Sequence, residues 1–126
     1  MSAEIKSVDD LQEYLLGVMG RVGHHAPEVH DASIILVGLI VLYKDTDSII
    51  KVRTYAGQKA NMLWVTINKK GYAFKYNHED HTIEIRAGTL NGPLLETVSD
   101  LNSCKQLRAV LENLKNGYQR ADKKSK

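Results

Sequence analysis

The stretch MLWVTINKKGYAFKYNHEDHTIEIRA, Met62–Ala87, decides how the rest of the chain is read. It holds three short runs, Met62–Asn68, Tyr72–Asn77 and Thr82–Ala87, rich in Ile, Val, Thr and aromatics. Such residues suit a pleated, half-buried surface, and their alternation follows the two-residue period of a strand. The connectors Lys69–Gly71 and His78–His81 are short enough for hairpins, so the three runs should pair antiparallel. Alternation puts Leu63, Val65, Ile67, Tyr72, Phe74, Tyr76, Ile83, Ile85 and Ala87 on one face, expected to pack against helix. The opposite face collects Lys51, Arg53, Tyr55, Met62, Trp64, Thr66, Lys75, Glu84 and Arg86. Trp64 stands out there, because a large indole on a polar sheet face is usually covered by something.

Moving outward, Ser48–Tyr55 reads as a preceding strand. Asn91–Gly92–Pro93 is a turn that releases another run, Leu94–Val98. The expected sheet is therefore a four- to five-stranded antiparallel meander. Upstream, Ile34–Tyr43 is apolar on every side, which predicts burial all round. Its β-branched residues would also suit a central strand. The start signals favour a helix from Pro27 to Lys44: proline fits the first helical position, and Glu28 and Asp31 suit the positive end of the helix dipole. A first helix should open at Ser7, with Asp10 three residues on as a capping-box partner. Val8, Leu11, Tyr14 or Leu15, Val18 and Val22 then recur at helical spacing, and Gly23 is a natural stop. The last helix should start near Ser103, capped by Gln106, and end at Gly117. The expected fold is α+β in the order ααβββββα, with the meander curling around the apolar second helix. One domain is expected over residues 1–118, followed by a flexible basic tail over 119–126.

Composition narrows the function classes. The chain has 126 residues, 43% hydrophobic and 25% charged, with one cysteine and a formal net charge of +2. A single cysteine excludes an internal disulfide and fits a reducing compartment. The tail from Gln119 carries Arg120, Lys123, Lys124 and Lys126 against Asp122, so the other 118 residues carry a net charge of −1. Duplex-binding domains usually carry a basic field over the folded part, so nucleic acid is not the expected partner. Met1–Asp10 is polar and acidic, unlike a secretory signal. The longest apolar stretch, Ala32–Tyr43, is too short to cross a bilayer as a helix, which needs roughly 18 residues or more. The expected address is the cytoplasm.

No motif assigns chemistry. The five histidines form two groups, His24–His25 with His30, and His78 with His81. Their spacings match no zinc pattern and read as polar loops. Gly17, Gly20 and Gly23 make neither a dinucleotide fingerprint nor a phosphate loop. Cys104 shares the phase of Leu107 and Leu111, so it reads as a small buried hydrophobe. No catalytic set, metal ligand set or cofactor is expected. The leading expectation is a non-enzymatic binding module that self-associates as a dimer through a sheet face or edge, with Arg53, Tyr55, Met62, Trp64 and Arg86 at the interface. The alternative is a small-molecule binder or enzyme. Its pocket would lie between sheet and helices, lined by His30, Tyr43, Tyr72, Phe74 and Tyr76. The third is a single-strand nucleic-acid binder that stacks bases on the same cationic, aromatic face.

Overall fold

The computed structural model describes residues 2–14, 30–54, 61–77, 79–89 and 91–117. It is an α+β fold built on one six-stranded antiparallel sheet, in which each strand pairs only with its sequence neighbours. The strands are β1 (Ser2–Ile5), β2 (Ile50–Thr54), β3 (Asn61–Ile67), β4 (Lys70–Asn77), β5 (Thr82–Ala87) and β6 (Leu94–Val98). Helix α1 is described over 8–14, α2 is His30–Tyr43 and α3 is Cys104–Lys115. The order is thus βααβββββα, and the expected four to five strands become six. The added strand is β1, which pairs with the first four of the five residues of β2, from Ser2 opposite Arg53 to Ile5 opposite Ile50.

The core lies between the sheet and the helices. Val52 faces Leu63, Leu63 faces Phe74 and Phe74 faces Ile85, so one apolar row crosses four strands. Ala32, Leu36 and Ile40 of α2 and Leu107, Leu111 and Leu114 of α3 cover that row. Both sets recur at three- and four-residue spacing, which places them on one helical face. Tyr43 Oη of α2 donates to Glu112 Oε2 of α3 at 3.1 Å. Asp100, in the loop before α3, accepts the Ala32 N–H in the first turns of α2 at 2.7 Å.

Caps and turns follow their residues. Ser7 Oγ accepts the Asp10 N–H at 3.1 Å, so α1 opens where the sequence places it. The Asp10 carboxylate reaches back to the Lys6 N–H at 3.0 Å rather than to the cap's own amide. The expected continuation of α1 to Gly23, and the start of α2 at Pro27, lie outside the described residues. The β3–β4 turn is two residues, Asn68 and Lys69, with φ of 53° and 66°. Two left-handed residues match the twist of a hairpin, so Lys70 and Gly71 belong to β4 and not to the turn.

Two burial expectations are corrected. Helix α2 is not buried all round: Ile34, Val41 and Leu42 are exposed, because only one side of the helix meets the sheet and α3. An all-apolar helix offers no pattern from which its covered side could be read. Cys104 is exposed and not part of the core. It occupies the first helical position, a turn before Leu107, where α3 stands clear of the core.

Candidate functional site

The outer sheet face is built from two cross-strand rows. One runs Arg53, Met62, Lys75, Glu84, Thr97, and the other Lys51, Trp64, Ala73, Arg86. This register brings Arg53, Met62 and Trp64 together, with the Arg53 guanidinium 5.7 Å from the Trp64 ring centroid. Stacking of this kind is favoured by the ring quadrupole. Arg86 stands two strands from Trp64, with Ala73 between them. Tyr55 lies outside the described residues.

Much of this face is already occupied by its own residues. Met62 is only 7% exposed and Ala73 0%. Arg86 Nε donates to Glu84 Oε1 at 2.9 Å, and Arg86 Nη1 to the Gly92 carbonyl at 2.9 Å. Glu84 is buried and accepts from Asn77 Nδ2 at 2.7 Å as well. Burial alone pushes its carboxyl pKa up, but hydrogen bonds from Arg86 and Asn77, with the charges of Arg86 and Lys75, hold it below the usual value.

The residues expected around a sheet–helix pocket have definite places. Tyr72, Phe74 and Tyr76 are buried members of the core, beside Leu36, Ile85 and Leu111. Burial pushes the Tyr72 phenol up. Tyr76 Oη shares a 3.1 Å hydrogen bond with His81 Nδ1 at the β4–β5 turn. Tyr43 is half-buried, and its phenol is pushed up by its desolvation first and then by the Glu112 carboxylate to which it donates. The His30 side chain lies outside the described residues, as do His24, His25 and His78. Among the described residues no three His, Cys, Asp or Glu side chains converge as a metal site would need. No described helix is long and apolar enough to cross a membrane.

A different feature was not foreseen. The start of α1, the end of α2 and the loop joining α2 to β2 border a groove of about 550 Å³. Val8, Leu11, Val41 and Ile49 supply apolar lining, with Lys6 and Asp47 among the charged residues that border it. The groove is open, since Val8 is 82% exposed and Ile49 50%. Leu42, next to Val41, is 69% exposed. Lys44 shapes the loop by donating to the carbonyls of Asp45, Thr46 and Ser48 at 3.1, 3.4 and 2.9 Å. Its residues come from positions 5–11 and 41–50, and only the apolar pairs that flank the polar loop, Val41–Leu42 and Ile49–Ile50, hint at it in the sequence.

Residues 11–108 match the family of the integron cassette protein VCH_CASS1 chain. The chain belongs to this family. The match runs from Leu11 in α1 to the second turn of α3 and so spans α2 and strands β2–β6, while β1 lies before the matched region. Among curated proteins, none matches the chain.

Proposed function

We propose that this cassette-family protein is a non-enzymatic interaction module whose working surface is the apolar side of α2 and the groove beside it. One observation carries the reading. Of the seven large, exposed apolar side chains among the described residues, Val8, Val41 and Ile49 line the groove, and Ile34 and Leu42 are exposed on the helix that borders it. Single exposed aliphatics are ordinary, but a gathered patch is what binding surfaces carry. The partner is a protein surface with exposed aliphatic side chains. A small molecule would need a more enclosed site, since ligand pockets bury most of their ligand. The outer sheet face is the weaker choice, because Met62 is already covered and Arg86 is held by Glu84 and Gly92. Its half-buried Arg53–Trp64 pair is what it still has to offer a partner.

The test uses Nile red as an apolar probe on dilute, folded protein. The wild type should enhance its fluorescence, and the double variant Val8→Lys, Ile49→Lys should lose at least half of that signal at an unchanged melting temperature. A wild type that leaves the dye dark, or a variant as bright as the wild type, removes the patch as the working surface.

A further inference from the structure

The β3–β4 turn holds an anion, and that anion belongs to the chain itself. Asn68 and Lys69 are both left-handed, with φ of 53° and 66°. Their successive N–H groups each meet one oxygen of the Asp45 carboxylate, Asn68 to Oδ1 and Lys69 to Oδ2, both at 2.7 Å. Successive backbone N–H groups in a turn form a concavity that binds anions. Hydrogen bonds to an ionised acceptor are shorter and stronger than neutral ones, and these two are at the short end of the range. Two cations favour the same charge: Lys115 Nζ of α3 lies 3.9 Å from Asp45 Oδ1, and the charge of Lys69 acts on the carboxylate as well.

Nothing local requires this carboxylate. Asn68 and Lys69 are exposed, so water could satisfy their N–H groups. Asp45 instead comes from 23 and 24 positions away, in the loop after α2. That loop is already fixed to β3, because the Asp45 N–H donates to the Thr66 carbonyl at 2.9 Å and the Thr66 N–H to Ser48 Oγ at 3.1 Å. The carboxylate extends the tie to the turn. Beyond it, Thr46, Asp47, Ser48 and Ile49 border the groove. The Asp45 side chain is 27% exposed, so the site opens to water and a dissolved anion can reach it.

We propose that the β3–β4 turn is a carboxylate-binding site, that Asp45 is its built-in ligand, and that a carboxylate from outside the chain takes the same place when Asp45 leaves. The ligand is a single carboxylate, because two N–H donors match its two oxygens one to one. Exchange unties the loop from the turn, which couples occupancy of the site to the border of the groove. A tethered group has a high effective concentration, so Asp45 keeps the site closed to dissolved anions. A partner already held elsewhere on the molecule competes on better terms, since its carboxylate is tethered too.

The test is a titration of the full chain with formate, against chloride at equal ionic strength, read at the Asn68 and Lys69 amides by NMR. In Asp45→Ala both amide protons should move upfield as they lose a charged acceptor. Formate should bring them at least half-way back, saturably, and chloride should not. The wild type should not respond, and Asp45→Asn, which keeps an oxygen in the site, should respond at least tenfold more weakly than Asp45→Ala. Hydrogen exchange at 46–49 should be several-fold faster in Asp45→Ala than in the wild type. It should stay fast in formate, which fills the site without tethering the loop.

Amides of Asp45→Ala that answer formate no more than chloride would overturn the proposal and leave Asp45 as a strut. Wild-type amides that shift as readily as those of the variant would overturn it too, because formate would then act at another place. Exchange at 46–49 that is unchanged in Asp45→Ala removes the coupling to the groove. Should that variant be unfolded in chloride, recovery of the fold in formate supports the site and failure to recover removes it.

Discussion

Glu84 is a carboxylate buried on the side of the sheet that sequence alternation assigns to water. It stays ionised because Arg86 Nε and Asn77 Nδ2 both donate to it, at 2.9 and 2.7 Å. The pair is not a surface ion pair, since the two side chains are 9% and 24% exposed. Removing one partner of such a contact leaves the other desolvated and unpaired, which costs more than the contact itself contributes. Glu84→Ala is therefore expected to lower stability by about 1–3 kcal/mol, read from the urea midpoint. Glu84→Gln keeps an acceptor for Asn77 and should lose less. If the two variants are equally stable, the shape and acceptor that glutamine keeps contribute nothing, and the cluster acts through the carboxylate charge alone. The same network explains why this face is poorly placed to neutralise phosphate: Arg86, the cation nearest the sheet's far edge, already has its partners.

At the scale of elements, α3 shows what a short sequence signal can fix. Ser103 Oγ accepts the Gln106 N–H at 3.1 Å, and Gln106 Oε1 accepts the Ser103 N–H at 2.8 Å, the reciprocal bonds of a capping box. The other end closes at Gly117, with φ of 80°, where glycine adopts a left-handed conformation without strain. Ser103→Ala should cost about 1 kcal/mol, because the Gln106 amide in the first turn loses its side-chain acceptor. A thermal melt reads it, and an unchanged midpoint would mean that water caps the helix as well as serine does. These ends, and the spans of β5 and β6, could be read because each is written in a few adjacent residues. Strand β1 could not, since four residues are too short to show a period and its pairing partner is almost fifty positions away. The covered side of α2 could not be read either. A helix apolar all round gives no direction, and only the positions of the sheet and α3 decide that Leu36 is inside and Leu42 outside. For the same reason the groove stayed hidden, whereas the sheet's core face was legible from alternation alone.

At the scale of the whole molecule, one half-buried carboxylate ties three parts together. Asp45, just past α2, accepts the Asn68 and Lys69 N–H groups of the β3–β4 turn, each at 2.7 Å. Lys115 Nζ at the end of α3 lies 3.9 Å from the same carboxylate. Its pKa is held below the ordinary value by the Lys69 amide first; partial burial opposes this, and the Asn68 amide and the charges of Lys115 and Lys69 add to it. Glu84 is also held low. A carboxyl group with a lower pKa in the folded state binds protons more readily once the chain unfolds, so stability must rise with pH across the interval between the two values. The contribution is complete above the ordinary carboxylate range, and is lost as pH falls through that range towards the lower native value. The charge balance acts in the same direction. As the 15 Asp and Glu side chains neutralise, the 17 Lys and Arg charges are left to repel one another, with the five histidines charged as well. The melting temperature should thus be flat near neutrality and fall steeply from about pH 5 downward. Asp45→Asn separates the local effect from the global one. It keeps the shape and loses the charge, so it should melt below the wild type at neutral pH. The gap between the two should close as the wild-type carboxylate takes up its proton. If that gap persists unchanged in acid, the turn is held by the shape of residue 45 and not by its charge. A wild type whose melting temperature does not fall in acid would mean that neither Asp45 nor Glu84 is ionised to any structural purpose.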